Sequence, residues 1–512
     1  MTIRASRAPG LAFEAVRPPP EPSALRSDVA AFVGPTRRGP VGAPTRVEGW
    51  REYVRAFGEL DRELDTPYAI RGYFDNGGQV AWIVRLATPR WQVSSARWDA
   101  SGLEALGNSI FRIDAASPGA WSRRARVAVR YRARTSTGIA TVDVTVRTAD
   151  EVEDHRGIPA SALVDHIKGG SQLIRIVWVD HAAVATPRAF ASEQIVFDQA
   201  GAVELPAKED YFDAITALAE VPEVALVAFP ELHHHLEGRA VHDVLAAAAT
   251  SADGLRDRMV LVDLPKDPPK LRWNADDILA WVDATLGRGD TDRSGEAKYW
   301  RAAALYHPWV RVTDPLGGVA QPTRDIAPSG HVAGAISLLD RTRGAHSTPA
   351  NSPLLGMIDL REDYDDDEQA MLNPEGVDLL RCMPALGFSV WGGRTLDRTT
   401  PFVAHRRMLH RLVRAIRDAA EPLVFETNGP ALWFMFTRAI TTVLLGFWRT
   451  GALAGDRPEQ AFEVQCDDTT NPPEEIDNGR CLCLIAIAPA VPMEFILLRV
   501  ALGRDGSLEV LS

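Results

Sequence analysis

The sequence predicts a multidomain protein that mixes α/β and α+β architecture, and three observations carry this prediction. Its 512 residues exceed what one ordinary hydrophobic core supports, so roughly two to four domains are expected. Between residues 209 and 340, wholly apolar strand segments alternate with helical segments, which is typical of a mostly parallel sheet covered on both faces. Within residues 90–200, apolar and polar residues alternate, as they do in half-buried antiparallel strands.

The first 90 residues divide into an extended arm and a compact segment. Residues 1–27 are rich in proline and arginine, which indicates an N-terminal arm rather than a packed element. Residues 28–89 begin with a short apolar strand and then show helical spacing. The stretch 66–87 predicts a helix, a glycine-rich turn and a buried strand. We interpret 28–89 as the N-terminal part of the core and 90–200 as a separate β-rich insertion.

The remainder of the chain predicts a central α/β domain over 201–380, with apolar strands at 225–232, 257–265 and 302–314. Residues 381–493 mix long helices with short strands, which indicates a C-terminal α+β domain. Residues 494–512 read as an apolar strand followed by a short polar tail.

Composition excludes several classes of protein. Lys and Arg total 56 against 68 Asp and Glu, and the net charge of −12 argues against non-specific nucleic-acid binding. The N-terminus lacks the apolar run of a signal peptide. The apolar segment 431–448 carries Arg438 near its middle, so a packed helix is expected rather than a membrane span. We therefore expect synthesis in the cytoplasm, no direct membrane insertion and no nucleic-acid partner.

Ser329 and His331, in the stretch SGHVAGAI, raise the question of a serine hydrolase. A hydrolase needs a nucleophile, a base within hydrogen-bond reach and an orienting carboxylate. No nucleophile-elbow motif surrounds Ser329, and Pro-Ser-Gly is typical of a turn that begins a helix. Gly330 and Gly334 allow close helix packing. We therefore predict a structural turn and helix at Ser329, Gly330 and His331, with no catalytic residue, and keep an α/β hydrolase as the alternative.

Other candidate sites are weaker. The histidines at 233–235 point in different directions, so a solvated loop is expected there rather than a metal site, and 363–368 predicts an exposed acidic loop. The four cysteines show no zinc-ligand spacing and predict free thiols. No nucleotide-binding motif is present. We expect no metal and no cofactor.

The helix predicted over 403–418 has a strongly basic side. Its apolar stripe contains Met408 and Leu412, and its other side carries arginines at helical spacing. Either these arginines form a solvated face or they dock on an acidic partner surface. The residues of this basic face are Arg406, Arg407, Arg411, Arg414 and Arg417.

Several motifs in order along the chain resemble contractile tail sheath proteins, the family shared by phage tails, tailocins and phage-tail-like injection systems. They include VAAFVGPTRRGPVGAPTRVEGWREYVRAFG, YAIRGYFDNGGQVAWIVRL, AALYHPWVRVTDP, IAPSGHVAGAISLLDRT and ETNGPALWFMFTRAITTVLLGFW. The resemblance covers most of the chain, with 90–200 as the divergent part. It implies a central domain with a subtilisin-like fold that is not catalytic, and an insertion that faces outward.

The resemblance also implies a function. Such a chain would polymerise as stacked hexameric rings around an inner tube and contract to drive the tube through a target envelope. Its partners would be neighbouring sheath subunits, the inner tube protein, the baseplate and the tail terminator or cap proteins, all within an assembled particle. The basic face becomes the candidate tube contact. A non-contractile scaffold that polymerises without switching stays open as a second alternative.

In the family, extended arms reach neighbouring subunits and complete a small sheet there, which requires unpaired segments with apolar alternation. The candidates here are GLAFEAV at 10–16 and EFILLRVAL at 494–502. We therefore expect the inter-subunit arm contacts to involve Leu11, Phe13, Val16, Phe495, Leu497 and Arg499.

Overall fold

The computed structural model describes most of the chain between Arg26 and Leu511. The described residues are 26–87, 93–133, 138–148, 151–183, 186–197, 205–287, 297–384, 386–423, 426–490, 499–502 and 508–511. They form a mixed α/β structure of several packed units.

The N-terminal segment supplies three strands and two helices. These are β1 (Ala30–Gly34), β2 (Thr45–Val47), α1 (Trp50–Phe57), α2 (Thr66–Asp75) and β3 (Ala81–Arg85). The helix, turn and strand predicted over 66–87 correspond to α2 and β3. Pro67 lies in the first turn of α2, where its missing N–H costs no hydrogen bond.

The segment between β3 and the next helix of the core forms two antiparallel sheets. Its elements are β4 (Ser95–Asp99), β5 (Ser109–Ala115), β6 (Arg126–Arg132), β7 (Thr141–Arg147), β8 (Val152–Pro159), α3 (Leu163–Gly170), β9 (Ile174–His181) and β10 (Phe190–Val196). The sheets have the strand orders β4-β5-β9 and β10-β6-β7-β8. Alternate residues of β6 and β7 point into a shared core that includes Trp98, Val129 and Val144, separate from the cores of the parallel sheet.

The next segment completes a large parallel sheet. Its elements are α4 (Lys208–Ala219), β11 (Leu226–Ala228), α5 (Leu232–His235), α6 (Arg239–Leu255), β12 (Met259–Asp263), α7 (Ala275–Leu286), β13 (Ala303–His307), β14 (Val310–Thr313), β15 (Thr323–Ile326), α8 (Ser329–Thr342), β16 (Met357–Leu360), α9 (Asp366–Leu372), β17 (Val377–Met383) and β18 (Gly387–Val390). The single strand expected over 302–314 is two strands, because Pro308 lacks the N–H that continuous pairing would require. After it, β14 joins a separate sheet with β15 and β16.

The large sheet has eight strands in the order β18-β17-β13-β12-β11-β1-β3-β2. Its six inner strands run parallel, and the two outer strands pair antiparallel to their neighbours. Successive residues face opposite cores: Ala31 and Val33 pack with α4, α6 and α7, whereas Ala30 and Phe32 pack with α1, α2 and α8. The N-terminal segment and the central segment therefore contribute strands to one sheet.

Helices α2 and α8 approach each other through glycine. A Cβ placed on Gly330 would lie 2.1 Å from the carbonyl oxygen of Ala69, and one on Gly334 would lie 2.4 Å from that of Tyr73. Both glycines have ordinary helical backbone angles. Glycine is therefore needed at these positions because a side chain would not fit, and not because of an unusual backbone conformation. The small-residue run of α8 thus permits backbone-to-backbone contact between two buried helices.

The C-terminal segment contains two long helices and a small sheet. Its elements are α10 (Val403–Ala420), α11 (Pro430–Arg449), α12 (Pro458–Ala461), β19 (Phe462–Gln465), α13 (Pro473–Asp477) and β20 (Leu484–Ile487). Met408 and Leu412 of α10 pack against Ile440 and Leu444 of α11. By length and composition alone α11 could cross a membrane, but it packs along α10 and β19 and carries Arg438 at its centre.

The tail differs from the expectation of a polar extension. Residues Arg499–Leu502 form β21 and pair antiparallel with β22 (Leu508–Leu511). The intervening sequence contains Asp505-Gly506, a dipeptide typical of hairpin turns, and residues 508–510 (LEV) alternate apolar and polar. The hairpin signal was therefore present in the sequence.

Replacing Gly330 with alanine is expected to lower the thermal midpoint of unfolding, since the added methyl group overlaps the backbone of α2 and overpacking costs about 1–3 kcal/mol. The matched control is Gly254→Ala in α6, where a Cβ meets nothing within 4 Å and should stabilise the helix by up to about 1 kcal/mol. Differential scanning calorimetry of both variants checks the pair. Equal shifts would contradict the close approach of α2 and α8.

Candidate functional site

Ser329 and His331 lie in the first turn of α8, at the carboxyl edge of the large sheet. The backbone N–H of Ser329 donates to Oδ1 of Asp263, the last residue of β12, over 3.0 Å. His331 is buried, and its ring packs against Gly72 of α2. Burial lowers the pKa of His331 to about 4, and its Nδ1 has no hydrogen-bond partner among the described residues. Ser329 and His331 therefore do not form the hydrogen-bonded pair that a hydrolase needs.

Two buried carboxylates hold the N-termini of α2 and α8. Asp263 accepts the N–H of Ser329, and Glu231, which follows β11, accepts the N–H groups of Asp65 and Thr66. The first N–H groups of a helix have no partner within the helix and favour a negative charge. Burial nevertheless raises the pKa of Glu231 to about 8 and that of Asp263 to about 7. Glu231 and Asp263 therefore bind the first turns of α2 and α8, the two helices that pack against each other at Gly330.

The histidines at 233–235 are not the solvated loop that we predicted. These three histidines form most of the short helix α5. The side chains of His233 and His235 are held by hydrogen bonds. His233 Nε2 pairs with the carbonyl oxygen of Asp263 at 2.7 Å, and His235 Nδ1 pairs with the Tyr211 hydroxyl at 2.8 Å. Burial lowers the pKa of both to about 4, so they are neutral near pH 7. No group of three or more metal-ligating side chains is found in the described part of the chain.

The acidic stretch 363–368 is also more ordered than predicted. Asp365 is the N-cap of α9: it accepts the N–H of Glu368, and Glu368 accepts the N–H of Asp365 in return. The carboxylates at the start of α9 thus stabilise a helix terminus. The prediction of an exposed loop is wrong for this end of the stretch.

The basic side of α10 faces the rest of the protein, which corrects the prediction that it presents an open surface. The Arg407 guanidinium forms a two-pronged ion pair with the Asp340 carboxylate of α8, with side-chain exposures of 3% and 1%. Arg406 pairs with Asp253 of α6, which also pairs with Arg301. These contacts arise because α10 is covered on both sides, by α11 and by the central segment. Arg406 and Arg407 are therefore not free for a tube contact.

Arg414 is buried as well, and its guanidinium donates to main-chain carbonyls. Its Nη1 reaches the carbonyl oxygen of Arg26 over 2.7 Å, and its Nη2 binds that of Val224. Burial lowers its pKa to about 10, so it remains charged near pH 7. The other two predicted arginines are less buried. Arg411 is half-buried and lies over the Phe447 ring. Arg417 is exposed and donates a hydrogen bond to the Leu255 carbonyl oxygen.

Helix α10 also binds the described residues that border the two undescribed terminal segments. At the N-terminal side, the carbonyl oxygens of Arg26 and Ser27 accept hydrogen bonds from Arg414 and Arg407. At the C-terminal side, His405 Nε2 pairs with the carbonyl oxygen of Ala490 at 2.8 Å. One 18-residue helix thus holds Arg26, Ser27 and Ala490.

The small sheet of the C-terminal segment has two strands in the described ranges. Strands β19 and β20 pair antiparallel from Phe462↔Ile487 to Gln465↔Leu484. Helix α11 packs on β19, and its Phe434 side chain is 69% exposed. A two-stranded sheet is marginal in water, and its outer edges present unpaired N–H and C=O groups. This geometry suits the addition of extended segments.

The predicted arm residues lie almost entirely outside the described residues. Arg499 begins β21, and its pairing partner is Leu511. The predicted arm residues outside the described ranges are Leu11, Phe13, Val16, Phe495 and Leu497. Sequence reasoning missed Asp340, although its spacing four residues after Ile336 puts it on the buried face of α8, where a carboxylate requires a partner.

Arg407→Met should destabilise the protein by about 3–5 kcal/mol, because it leaves the Asp340 carboxylate buried without its partner. Combining it with Asp340→Leu should recover much of that loss. Urea unfolding followed by tryptophan fluorescence measures both. The control is Arg438→Met on the exposed side of α11, expected within about 0.5 kcal/mol of the wild type. A loss no larger than that of the control would overturn the assignment of this pair.

Glu231→Gln should weaken the pH dependence of stability. Because burial raises the folded-state pKa of Glu231 to about 8, its favourable contribution is complete below the ordinary carboxyl pKa of about 4.3 and is lost as the pH rises through about 8. Thermal midpoints measured from about pH 5 to about pH 8.5 should fall less steeply in the variant. Exposed Glu59→Gln is the control, and parallel slopes for all three proteins would be the contrary result.

Comparison with known proteins gives a consistent result. Residues 397–503 match the family described as the phage tail sheath C-terminal domain. The tail sheath protein of Vibrio phage KVP40 is 27% identical over 184 residues, which are 35% of this chain and 26% of that protein. The match thus spans about a quarter of that relative's length.

Solved structures share the fold over nearly the whole chain. The contracted helical sheath of the anti-feeding prophage has a TM-score of 0.57 at 21% identity, covering 97% of this chain and 99% of its own. The contracted PVC sheath of an extracellular contractile injection system has a TM-score of 0.55 at 18% identity, covering 98% and 99%. A sheath tail protein from Listeria innocua reaches 0.61 at 12% identity, covering 91% and 96%. The C-terminal family match and the shared fold together confirm the resemblance to contractile tail sheath proteins that the sequence predicts.

Proposed function

We propose that this chain is the repeating subunit of a contractile sheath. In this proposal, copies assemble as stacked hexameric rings around an inner tube and contract to drive the tube through a target envelope. The support is the likeness to sheath proteins in fold and in the C-terminal family match. The protein performs mechanical work and is not an enzyme. The Ser329 and His331 geometry supports this, since it lacks a nucleophile paired with a base.

The observation that carries the proposal is the open two-stranded sheet formed by β19 and β20. We assign its free edges to extended segments of neighbouring copies, which would add strands through main-chain hydrogen bonds. Segments 10–16 and 494–502 have the alternation that such strands need. Added strands would also protect edges that otherwise invite aggregation. A copy would thus give its terminal segments to its neighbours and receive theirs.

The anchoring of both terminal segments on α10 favours the same arrangement. Because Arg407 and Arg414 bind the carbonyls of Ser27 and Arg26, an arm that starts there cannot slide relative to the core without breaking buried hydrogen bonds. Arg407 of α10 also pairs with Asp340 of α8, which joins the C-terminal helices to the central segment. We therefore assign contraction to a change in the contacts between copies, with two packings of the same chain differing in free energy.

The proposed role also implies the other partners. The inner tube, the baseplate and the cap or terminator proteins would bind the assembled sheath. In the assembly, the two antiparallel sheets of 93–197 would face outward. Of the predicted tube-facing arginines, Arg411 and Arg417 stay candidates. We also propose that the central sheet with its flanking helices is the non-catalytic subtilisin-like domain. The chain would be made in the cytoplasm and act as part of a phage-tail-like particle.

The double variant Leu11→Asp and Phe13→Asp should abolish assembly, because two charges on the apolar face of an arm strand oppose its burial in a neighbouring sheet. The control is Ala12→Asp, whose side chain would point to the opposite face. Negative-stain electron microscopy, with and without the cognate tube protein, should show striated cylinders for the wild type and the control, and separate subunits for the double variant.

Two results would change the proposal. Single subunits of the wild type under both conditions would overturn it. Cylinders that form around the tube and never shorten when a complete particle is triggered would instead indicate a scaffold that does not contract.

A further inference from the structure

Three of the four cysteines converge at one end of the small sheet. The last pair of β19 and β20 is Gln465 with Leu484, so the next pair in the same register is Cys466 with Cys483. Cys481 is two residues before Cys483, which puts it on the same face of the strand. The Sγ atoms of Cys466 and Cys481 are 3.9 Å apart. All three thiols are half-buried. The fourth, Cys382, is exposed on β17.

Cys466 is the centre of the cluster. Burial and the neighbouring Cys483 raise its pKa, and burial with the neighbouring Cys466 raises the pKa of Cys481 to about 11. The Asn471 side-chain amide points its Nδ2 at Cys466 Sγ from 3.9 Å, which partly stabilises a thiolate there. Because Cys466 contacts both other thiols, it is the shared partner of either possible bridge.

The loop between the cysteines is held closed by other contacts. Asn471 Oδ1 accepts the N–H of Leu482 over 2.6 Å, and its Nδ2 donates to the carbonyl oxygens of Leu482 and Asp467 over 3.0 Å. The Asp467 carboxylate accepts the N–H groups of Thr469 and Thr470. Both ends of the loop are therefore fixed without a covalent bond. To form a disulfide, the two sulfurs would close from 3.9 Å to roughly 2.05 Å.

We propose that Cys466 and Cys481 form a thiol–disulfide site, reduced in a reducing compartment and closed by small disulfide oxidants such as glutathione disulfide. The Cys466 thiolate attacks one sulfur of the oxidant, whose S–S bond breaks and releases one glutathione thiolate. The Cys481 thiolate then attacks the mixed disulfide at Cys466, forming the protein S–S bond and releasing the second glutathione. The two cysteine protons end on the two glutathione thiols. Two protein thiols are thereby oxidised and one glutathione disulfide is reduced.

The bridge would close a loop that spans residues 466–481 and contains α13. A cross-link across a loop of this length restricts the unfolded chain and stabilises the fold. It would fix the pairing of β19 with β20 at the end where the register stops. This inference concerns the hairpin itself and does not depend on the proposed sheath function.

Peptide mapping of the full-length chain tests the site. The protein is equilibrated in glutathione buffers from fully reduced to fully oxidised, alkylated, and digested with trypsin. Cleavage after Arg449 and Arg480 separates Cys466, in peptide 450–480, from Cys481 and Cys483, in peptide 481–499. We expect these peptides to become disulfide-linked in oxidising buffer, with a rise of several degrees in the thermal midpoint. Four free thiols throughout, or a Cys466 that stays bound to glutathione, would overturn the proposal.

Three serine variants identify the partner. Cys466→Ser should abolish the link and the thermal shift, Cys483→Ser should retain both, and Cys481→Ser should lose most of both. Cys382→Ser, remote from the cluster, is the matched control and should behave as the wild type. If Cys481→Ser retains the link while Cys483→Ser loses it, the site belongs to Cys483 and our assignment is wrong. Circular dichroism of the reduced variants establishes that each is folded before oxidation.

Discussion

The buried ion pair between Arg407 and Asp340 is the interaction on which the arrangement of the domains depends. It joins α10 of the C-terminal segment to α8 of the central segment, and the same guanidinium binds the Ser27 carbonyl at the start of the described chain. Removing two charges from water costs several kcal/mol per ion, and this cost is offset here by a two-pronged geometry and an extra hydrogen bond. The pair is consequently demanding in orientation. Its two-pronged geometry sets the orientation of α10 relative to α8.

The parts of the fold that the sequence predicts well are those governed by local pattern. Apolar strands separated by helices implied the parallel sheet, and alternation within 90–200 implied antiparallel strands. The basic side of α10 shows the limit of this reasoning. Periodicity correctly separated Met408 from Arg407, but it cannot tell what covers each side of a helix. Asp340 lies 67 residues from Arg407 in the sequence, and Asp253 lies 153 residues from Arg406. Local sequence patterns cannot predict pairs with such separations.

The polar contacts at the carboxyl edge of the sheet are hidden from local sequence analysis for a similar reason. Ser329 and His331 are close in sequence, whereas the groups that bind the helix starts in this region come from separate loops. Glu231 meets the start of α2 across 165 residues, and Asp263 meets the start of α8 across 66. Such an edge gathers polar side chains because parallel strands all end there, in catalytic and non-catalytic proteins alike. Here these polar groups are committed to helix termini, which leaves none paired as nucleophile and base at Ser329.

The attachment of Arg26, Ser27 and Ala490 to α10 has a consequence for how a load would pass through the molecule. A pull applied at any of these residues would enter the protein at the same helix and continue through the Arg407–Asp340 pair into α8. The two antiparallel sheets of 93–197 branch from the end of β3 and stand outside that route. None of the hydrogen bonds and ion pairs named on this route belongs to them, so a change on their surface would leave the route intact.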